Sequence, residues 1–235
     1  PANRTVVVVV PFVRVMSVSA RLALNAFKTP TSWGSCLASS SAVEELRSAL
    51  EPLKTLSRFQ GRTVTSGNKD IVTGTAGATA APGSFAIEVV QLATPQKLRS
   101  GVFAGDTTAV GTGSLVVTTG GKSMTLVVDA THGTLAGIRD AVNGASDNPG
   151  VTASIVTGTA GAQLVLTARS TGASNAITVT QSGGDGGLAS LVYDPANSIL
   201  NLTEVSAARD ASILVDGVAV TSATNSFTSA ISGLT

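Results

Sequence analysis

From about residue 62 to the end, the chain is a succession of short runs of valine, isoleucine and threonine, each stopped by glycine, Asx or proline. A side chain branched at Cβ is stiff about χ1 and crowds a helical turn. On a pleated surface it packs well, so such runs favour strands. Pro82-Gly83, Gly120-Gly121, Asp147-Asn148-Pro149-Gly150 and Asp216-Gly217 supply the reversals between them. The fold class that follows is mainly β with minor α (α+β). With 235 residues the chain has room for one to three domains and a core that needs no cross-links. That core has to be aliphatic, because aromatic residues make up only 3% of the chain.

Within the β texture, Ser84-Phe85-Ala86-Ile87-Glu88-Val89-Val90-Gln91-Leu92 alternates as a half-buried strand and ends at Thr94-Pro95. Runs at 114–118 and 124–128 flank Gly120-Gly121 as a hairpin. A helix follows, with Thr134 as N-cap and Leu135, Ile138 and Val142 on one face, stopped at Asn143-Gly144. Strands are expected at 151–157, 163–168 and 176–181. The resulting order, β-β-α-β-β-β, reads as a small α+β unit with one helix on one sheet face. The glycine-rich stretch 182–187 reads as a flexible loop and a domain boundary. Runs at 212–215 and 218–221 around Asp216-Gly217 give the strongest hairpin signal. The octapeptide IVTGTAGA occurs at 71–78 and again at 155–162, but the flanks differ, so it reads as low-complexity β material rather than a solenoid repeat.

A different pattern precedes this region. Ser41-Ala42-Val43-Glu44 forms a capping box, and Val43, Leu46, Leu50, Leu53 and Leu56 then recur at spacings of three and four. Pro52 kinks or ends this helix. The stripe is the one candidate site in the chain, a helix-packing interface. It is either an ordinary core helix or one whose partner lies elsewhere in a longer chain, and no other segment offers a long matching helix. The chain opens at Pro1, as a processed or partial chain does. The valine run 6–10 is too short to span a bilayer, so no membrane insertion is expected. With Arg4 before it and Val18-Ser19-Ala20 after it the run imitates a signal peptide, although Pro11, Arg14 and the strand preference of valine favour a buried strand.

Charge and chemistry exclude more than they admit. Residues 1–62 hold eight basic and three acidic residues, and residues 63–235 hold seven and eleven. A nucleic-acid surface needs clustered Lys and Arg, so the β region is not one. The single cysteine, Cys36, allows neither an internal disulfide nor a cysteine zinc site. One histidine, His132, is present, three residues from Asp129, and there is no G-x-S-x-G elbow. In Thr131-His132-Gly133 it reads as a turn residue. Gly120-Gly121-Lys122-Ser123 imitates the end of a phosphate loop, but Val116 stands where that motif needs glycine, and a strand follows rather than a helix. Gly111-Thr112-Gly113 fails the dinucleotide fingerprint at the same Val116. Asp185 among glycines offers one carboxylate where calcium takes six to eight oxygens. No catalytic residue, metal site or cofactor is assigned, and the chain reads as a non-enzyme.

Certain segments resemble a known family. Phe85-Ala86-Ile87-Glu88-Val89-Val90-Gln91-Leu92-Ala93 with Gln96-Lys97-Leu98 is similar to an early β segment of bacterial flagellar filament-capping proteins (hook-associated protein 2). Thr134-Leu135-Ala136-Gly137-Ile138-Arg139-Asp140-Ala141-Val142-Asn143 with Asn148-Pro149-Gly150-Val151-Thr152 resembles that family's helix-turn-strand. So does Leu164-Val165-Leu166-Thr167 with Thr171-Gly172-Ala173. Ala208-Arg209-Asp210-Ala211, Val215-Asp216-Gly217-Val218 and the stretch from Asn225 to Gly233-Leu234-Thr235 resemble a β motif shared with flagellins. The likeness covers roughly 41–235. Residues 1–36 depart from the family's polar helical leader.

The resemblance implies two β-rich domains, one inserted in the other, plus part of a helical leg. Residues 1–36 are an unassigned leader, 37–62 begin the leg, 63–105 with 184–235 form a discontinuous plate domain, and 106–183 form an inserted α+β domain. It also implies a structural cap at the flagellar tip. There an extracellular homo-oligomeric ring, exported by the flagellar type III route, promotes folding and insertion of flagellin. Its helical legs would pair as coiled coil. Its partners would be further copies of itself, flagellin, the hook-filament junction proteins and an export chaperone. The alternative is an exported β-rich adhesin that recognises host mucin or glycans, against which the scarcity of aromatic faces counts.

Overall fold

A computed structural model describes residues 5–10 as backbone, Glu44, Glu45, Arg47 and Ser48, and residues 62–235. The chain forms two compact units, one of Glu88–Phe227 and one of Thr5–Ile87 with Thr228–Thr235. The expected boundaries at 105/106 and 183/184 do not coincide with this division. The reason is pairing: short strands outside 106–183 hydrogen-bond with those inside it.

In the smaller unit, β1 (Thr5–Val10) pairs antiparallel with β2 (Thr65–Ser66), Val8 opposite Ser66 and Val9 opposite Thr65. The octapeptide at 71–78 pairs with the chain end. Thr75 N–H donates to Thr235 O at 2.7 Å, Thr235 N–H returns to Thr75 O at 3.0 Å, and Gly77 N–H donates to Gly233 O at 2.8 Å. Ala80 and Leu234 are buried under Val64, Ala76, Phe85 and Ile231.

The unit boundary falls within β3 (Gly83–Gln91). In the larger unit two sheets share one core. The first has the order β11-β10-β9-β5-β6. It comprises β5 (Gly113–Thr119), β6 (Lys122–Val128), β9 (Thr178–Ser182), β10 (Tyr193–Asp194) and β11 (Ile199–Leu200). The second has the order β12-β4-β8-β7. It comprises β4 (Lys97–Arg99), β7 (Val151–Gly158), β8 (Gly161–Ala168) and β12 (Thr203–Ser206). A hairpin of β13 (Ala211–Val215) and β14 (Val218–Ser222) turns at Asp216-Gly217, and β13 lies next to β3 in its sheet. Gly120 and Gly121, at φ 57° and 73°, make the β5–β6 reversal with both central residues left-handed, which glycine adopts without a Cβ penalty.

Helix α1 (Leu135–Gly144) begins where expected: Thr134 accepts Gly137 N–H on Oγ1 at 3.1 Å. Its Leu135, Ile138 and Val142 enter the core with Leu115, Val117, Leu98 and Leu166. The expectation of a single sheet under this helix is corrected. The β5–β6 and β7–β8 hairpins belong to different sheets, because α1 carries the chain from β6 across the core to β7. The loop at 182–187 is also not a free boundary. Asp185 Oδ1 accepts Thr112 N–H at 3.0 Å and Gly187 N–H at 2.9 Å, and Leu188 and Leu191 just beyond it lie in the core.

Gln96 ties the second sheet together. It is 3% exposed, donates Nε2 to Glu204 Oε1 at 2.6 Å, accepts Ile177 N–H on Oε1, and accepts Ala168 N–H on its backbone oxygen at 2.9 Å. A buried polar side chain with every group bonded costs little. Its neighbours depend on it for their own satisfaction.

Candidate assembly surface

The helix-packing stripe Val43, Leu46, Leu50, Leu53 and Leu56 lies outside the described residues, as do Ser41 and Pro52. Between its positions, Glu44, Glu45, Arg47 and Ser48 are helical and exposed, and Arg47 Nη1 stands 3.8 Å from Glu44 Oε1.

The positions that imitate chemistry have local uses. His132 Nδ1 lies 2.9 Å from Asp129 Oδ1, in a turn where the same oxygen accepts the N–H groups of Thr131 and His132. Hydrogen bonds from the Thr131 hydroxyl and from His132 hold the Asp129 carboxyl below the usual carboxylate range. Backbone N–H bonds from Thr112 and Gly187 do the same for Asp185, and the adjacent Arg139 does so for Asp140. Gly120-Gly121-Lys122-Ser123 is a hairpin turn leading into a strand. Among the described residues, no three His, Cys, Asp or Glu side chains gather as a metal site, and no helix is long and apolar enough to cross a membrane.

What the larger unit presents to its surroundings is sheet edges and sheet faces. Nine large apolar residues are exposed among the described residues, and Val127, Val156, Ile199, Leu200, Val205 and Val218 lie on β6, β7, β11, β12 and β14, each at the end of its sheet order. Val127 is 76% exposed. An edge strand offers unpaired N–H and C=O groups, and apolar side chains on it favour association. Sequence periodicity could not find this set, because it marks which residues alternate and not which strand ends a sheet.

One edge is half closed. Asn143 Nδ2 donates to Ala153 O at 2.8 Å and its Oδ1 accepts Ala153 N–H at 2.9 Å. Asn148 Nδ2 donates to Val151 O at 2.8 Å and its Oδ1 accepts Val151 N–H at 2.8 Å. Antiparallel alternation turns the same backbone groups of Ile155 and Thr157 outward, where neither asparagine bonds them.

The two outer faces differ in chemistry. On the first sheet, rows Ser182–Ser114–Val127, Thr180–Val116–Thr125 and Thr178–Thr118–Ser123 form an uncharged grid of hydroxyl and valine side chains. On the second, rows Thr152–Thr167–Lys97 and Ser154–Val165–Arg99–Thr203 place two cations among hydroxyls. Arg169 Nε adds a third cation by donating to Thr152 Oγ1 at 3.0 Å.

Comparison with known proteins matches this arrangement. A family model described as flagellar hook-associated protein 2 N-terminus matches residues 35–96, and one described as flagellin hook IN motif matches residues 114–170. B-type flagellar hook-associated protein 2 of Pseudomonas aeruginosa is 34% identical over 83% of this chain and 43% of its own length. Flagellar hook-associated protein 2 of Escherichia coli K12 is 35% identical over 79% and 40%. The chain thus spans less than half the length of these curated relatives. The crystal structure of the D2-D3 domains of the flagellar cap protein FliD from Escherichia coli matches with a TM-score of 0.66 at 31% identity, over 72% of this chain and 88% of that one. FliD (HAP2) from Pseudomonas aeruginosa PAO1 matches with a TM-score of 0.61 at 32% identity, over 69% and 75%. These relatives are hook-associated and cap proteins, which leaves the adhesin alternative unsupported. On these likenesses and on its mainly β fold with one described full helix, the chain belongs to the flagellar hook-associated protein 2 (FliD) family of flagellar cap proteins.

Proposed function

We propose that this chain supplies the β-rich plate of a flagellar filament cap, a structural and non-catalytic part that associates with further copies of itself. In this reading it stands at the extracellular tip of the flagellum, and exported flagellin folds and inserts beneath it. Residues 37–62 begin a helical leg, with Val43, Leu46, Leu50, Leu53 and Leu56 packing on a helix elsewhere in the full-length protein. The hook-filament junction proteins and an export chaperone are further proposed partners.

The observation that carries the reading is the concentration of exposed apolar residues on strands at sheet edges, Val127, Val156, Ile199, Leu200, Val205 and Val218. Such edges, with polar faces beside them, give modest and wet interfaces, suited to a plate that must rearrange as subunits pass.

The test is complementation of a strain lacking the gene. The full-length wild-type gene is expected to restore filaments. Val127→Lys with Val156→Lys, which touches only exposed side chains, is expected to leave the protein folded and filaments fewer and shorter. Failure of the wild-type gene to restore filaments, or normal filaments from the edge variant, overturns the reading.

A further inference from the structure

Asn143-Gly144 is the one Asn-Gly pair in the chain. Asparagine before glycine is open to attack by its own backbone. No Cβ shields the nitrogen that follows, and the free rotation of glycine lets that nitrogen reach the side-chain amide. Both residues are exposed to water, and nothing lies within 4 Å of a Cβ added at Gly144.

The folded chain holds this chemistry back in two ways. The Asn143 amide is bonded at both ends to Ala153, at 2.8 and 2.9 Å. Gly144 is the last residue of α1, and a helix directs each N–H along its axis to a carbonyl four residues back, away from the side chain before it. Helix ends fray at small cost, and fraying releases both restraints. The other asparagines in similar roles are safer. Asn148, the second brace on β7, precedes Pro149, which has no backbone N–H to give up. Asn225 bonds both backbone groups of Ala93, at 2.7 and 3.2 Å, but precedes Ser226, whose side chain crowds the nitrogen.

We propose that Asn143 is a site of spontaneous deamidation, and that the reaction works as a one-way latch on the β7 edge. The Gly144 nitrogen attacks Cγ of Asn143. The N–Cγ bond forms, the Cγ–Nδ2 bond breaks, and ammonia leaves with the proton of the Gly144 amide. Water then opens the cyclic imide at either carbonyl and leaves an aspartate or an isoaspartate. One water is consumed and one ammonia released, with no change of oxidation state. The product has no N–H to donate to Ala153 O and sets a carboxylate against that carbonyl. The new charge also lies at the negative end of α1, three residues after Asp140 on the same face. Arg139 does not offset it, because its Nε and Nη2 are taken up by Asp140 at 2.8 Å. The latch therefore opens by fraying and, once deamidated, does not close again.

The test is ageing of the full-length protein at mildly alkaline pH, followed by peptide mass spectrometry and by labelling with an isoaspartyl methyltransferase. The peptide holding Asn143 is expected to gain the mass of an amide-to-acid change before any other asparagine peptide. Conversion is expected to be about ten-fold or more slower in the folded protein than in urea, because losing the two amide bonds opposes the opening. Gly144→Ala, which meets open space, is expected to slow it further. In the aged fraction, hydrogen exchange is expected to quicken at Ala153 N–H while Val151 N–H, held by Asn148, keeps its protection. Asn143→Asp is expected to show the same pattern without ageing, and the aged wild type serves alone where that variant does not fold. Conversion of Asn225 or Asn197 ahead of Asn143 overturns the site. Equal rates in the folded protein and in urea, or an aged fraction in which Ala153 keeps its protection, overturn the latch.

Discussion

The side-chain amide of Asn143 hydrogen-bonds both backbone groups of Ala153, donating to its oxygen at 2.8 Å and accepting its N–H at 2.9 Å, so that it stands where another strand would pair with β7. Asn143→Ala removes both bonds and leaves one N–H and one C=O unmet. That loss is partly offset by the better helix propensity of alanine at the end of α1, for a net loss of about 1 kcal/mol. Urea denaturation is expected to show the lower midpoint, and light scattering to show more association through the opened edge. An unchanged midpoint would mean that water replaces the amide without penalty.

Gln96 predicts a larger effect. Gln96→Leu keeps the volume and strands the buried N–H of Ile177, a residue 1% exposed, at a cost on the order of 2 kcal/mol. Guanidinium unfolding of Gln96→Leu beside Lys97→Gln separates the two roles. The first is expected to lower the midpoint, and the second, on the exposed face, to leave it within experimental scatter.

Asp185 makes stability depend on acid. Its carboxyl is held below the usual range first by Thr112 N–H and then by Gly187 N–H. A carboxylate with a depressed folded-state pKa contributes stability that is complete above the unfolded value of about 3.9 and is lost as pH falls through the lower folded value. Asp129 and Asp140, lowered for reasons already given, act in the same direction. Asp185→Asn retains an acceptor oxygen without the titration. Thermal unfolding from pH 7 down to pH 2 is expected to show a shallower acid limb in Asp185→Asn than in the wild type. Superimposable limbs would remove Asp185 from the account.

Gly161 and Gly158 close the β7–β8 hairpin together and should respond differently to a methyl group. Gly161 has φ 132° and lies against Phe103 O, whose own residue exchanges two 2.8 Å hydrogen bonds with Ala162. Gly161→Ala is expected to cost about 2–3 kcal/mol through strain and loss of that bridge. At Gly158 an added Cβ meets nothing within 4 Å, and Gly158→Ala is expected to be near neutral in the same thermal measurement.

Local structure was legible where the signal is local. The Thr134 cap, the stripe Leu135, Ile138, Val142 and the turns at Gly120-Gly121 and Asp216-Gly217 are in the places the sequence indicates. The short strands Lys97–Arg99 and Thr203–Ser206 were not legible, because three or four residues carry no period and owe their conformation to neighbours distant in sequence. The candidate surface was legible only as composition. Lys97, Arg99 and Arg169 look scattered in the chain and meet through the register of β4, β8 and β7.

The repeated octapeptide marks the division most clearly. Its sequence determines that both copies are extended and turn-prone, since both offer the same β-branched residues and the same glycines. At 155–162 the copy folds back on itself, with Thr157 opposite Ala162 and Gly158 opposite Gly161, and its Ile155 and Val156 pair with Leu164 and Gln163 just beyond it. At 71–78 the same eight residues make no hairpin, and Thr75 and Gly77 bond instead to Thr235 and Gly233. Local preferences are identical in the two copies, so they cannot choose. Long-range backbone hydrogen bonds, available to one copy from the chain end and to the other from β8 and Phe103, decided which form each takes.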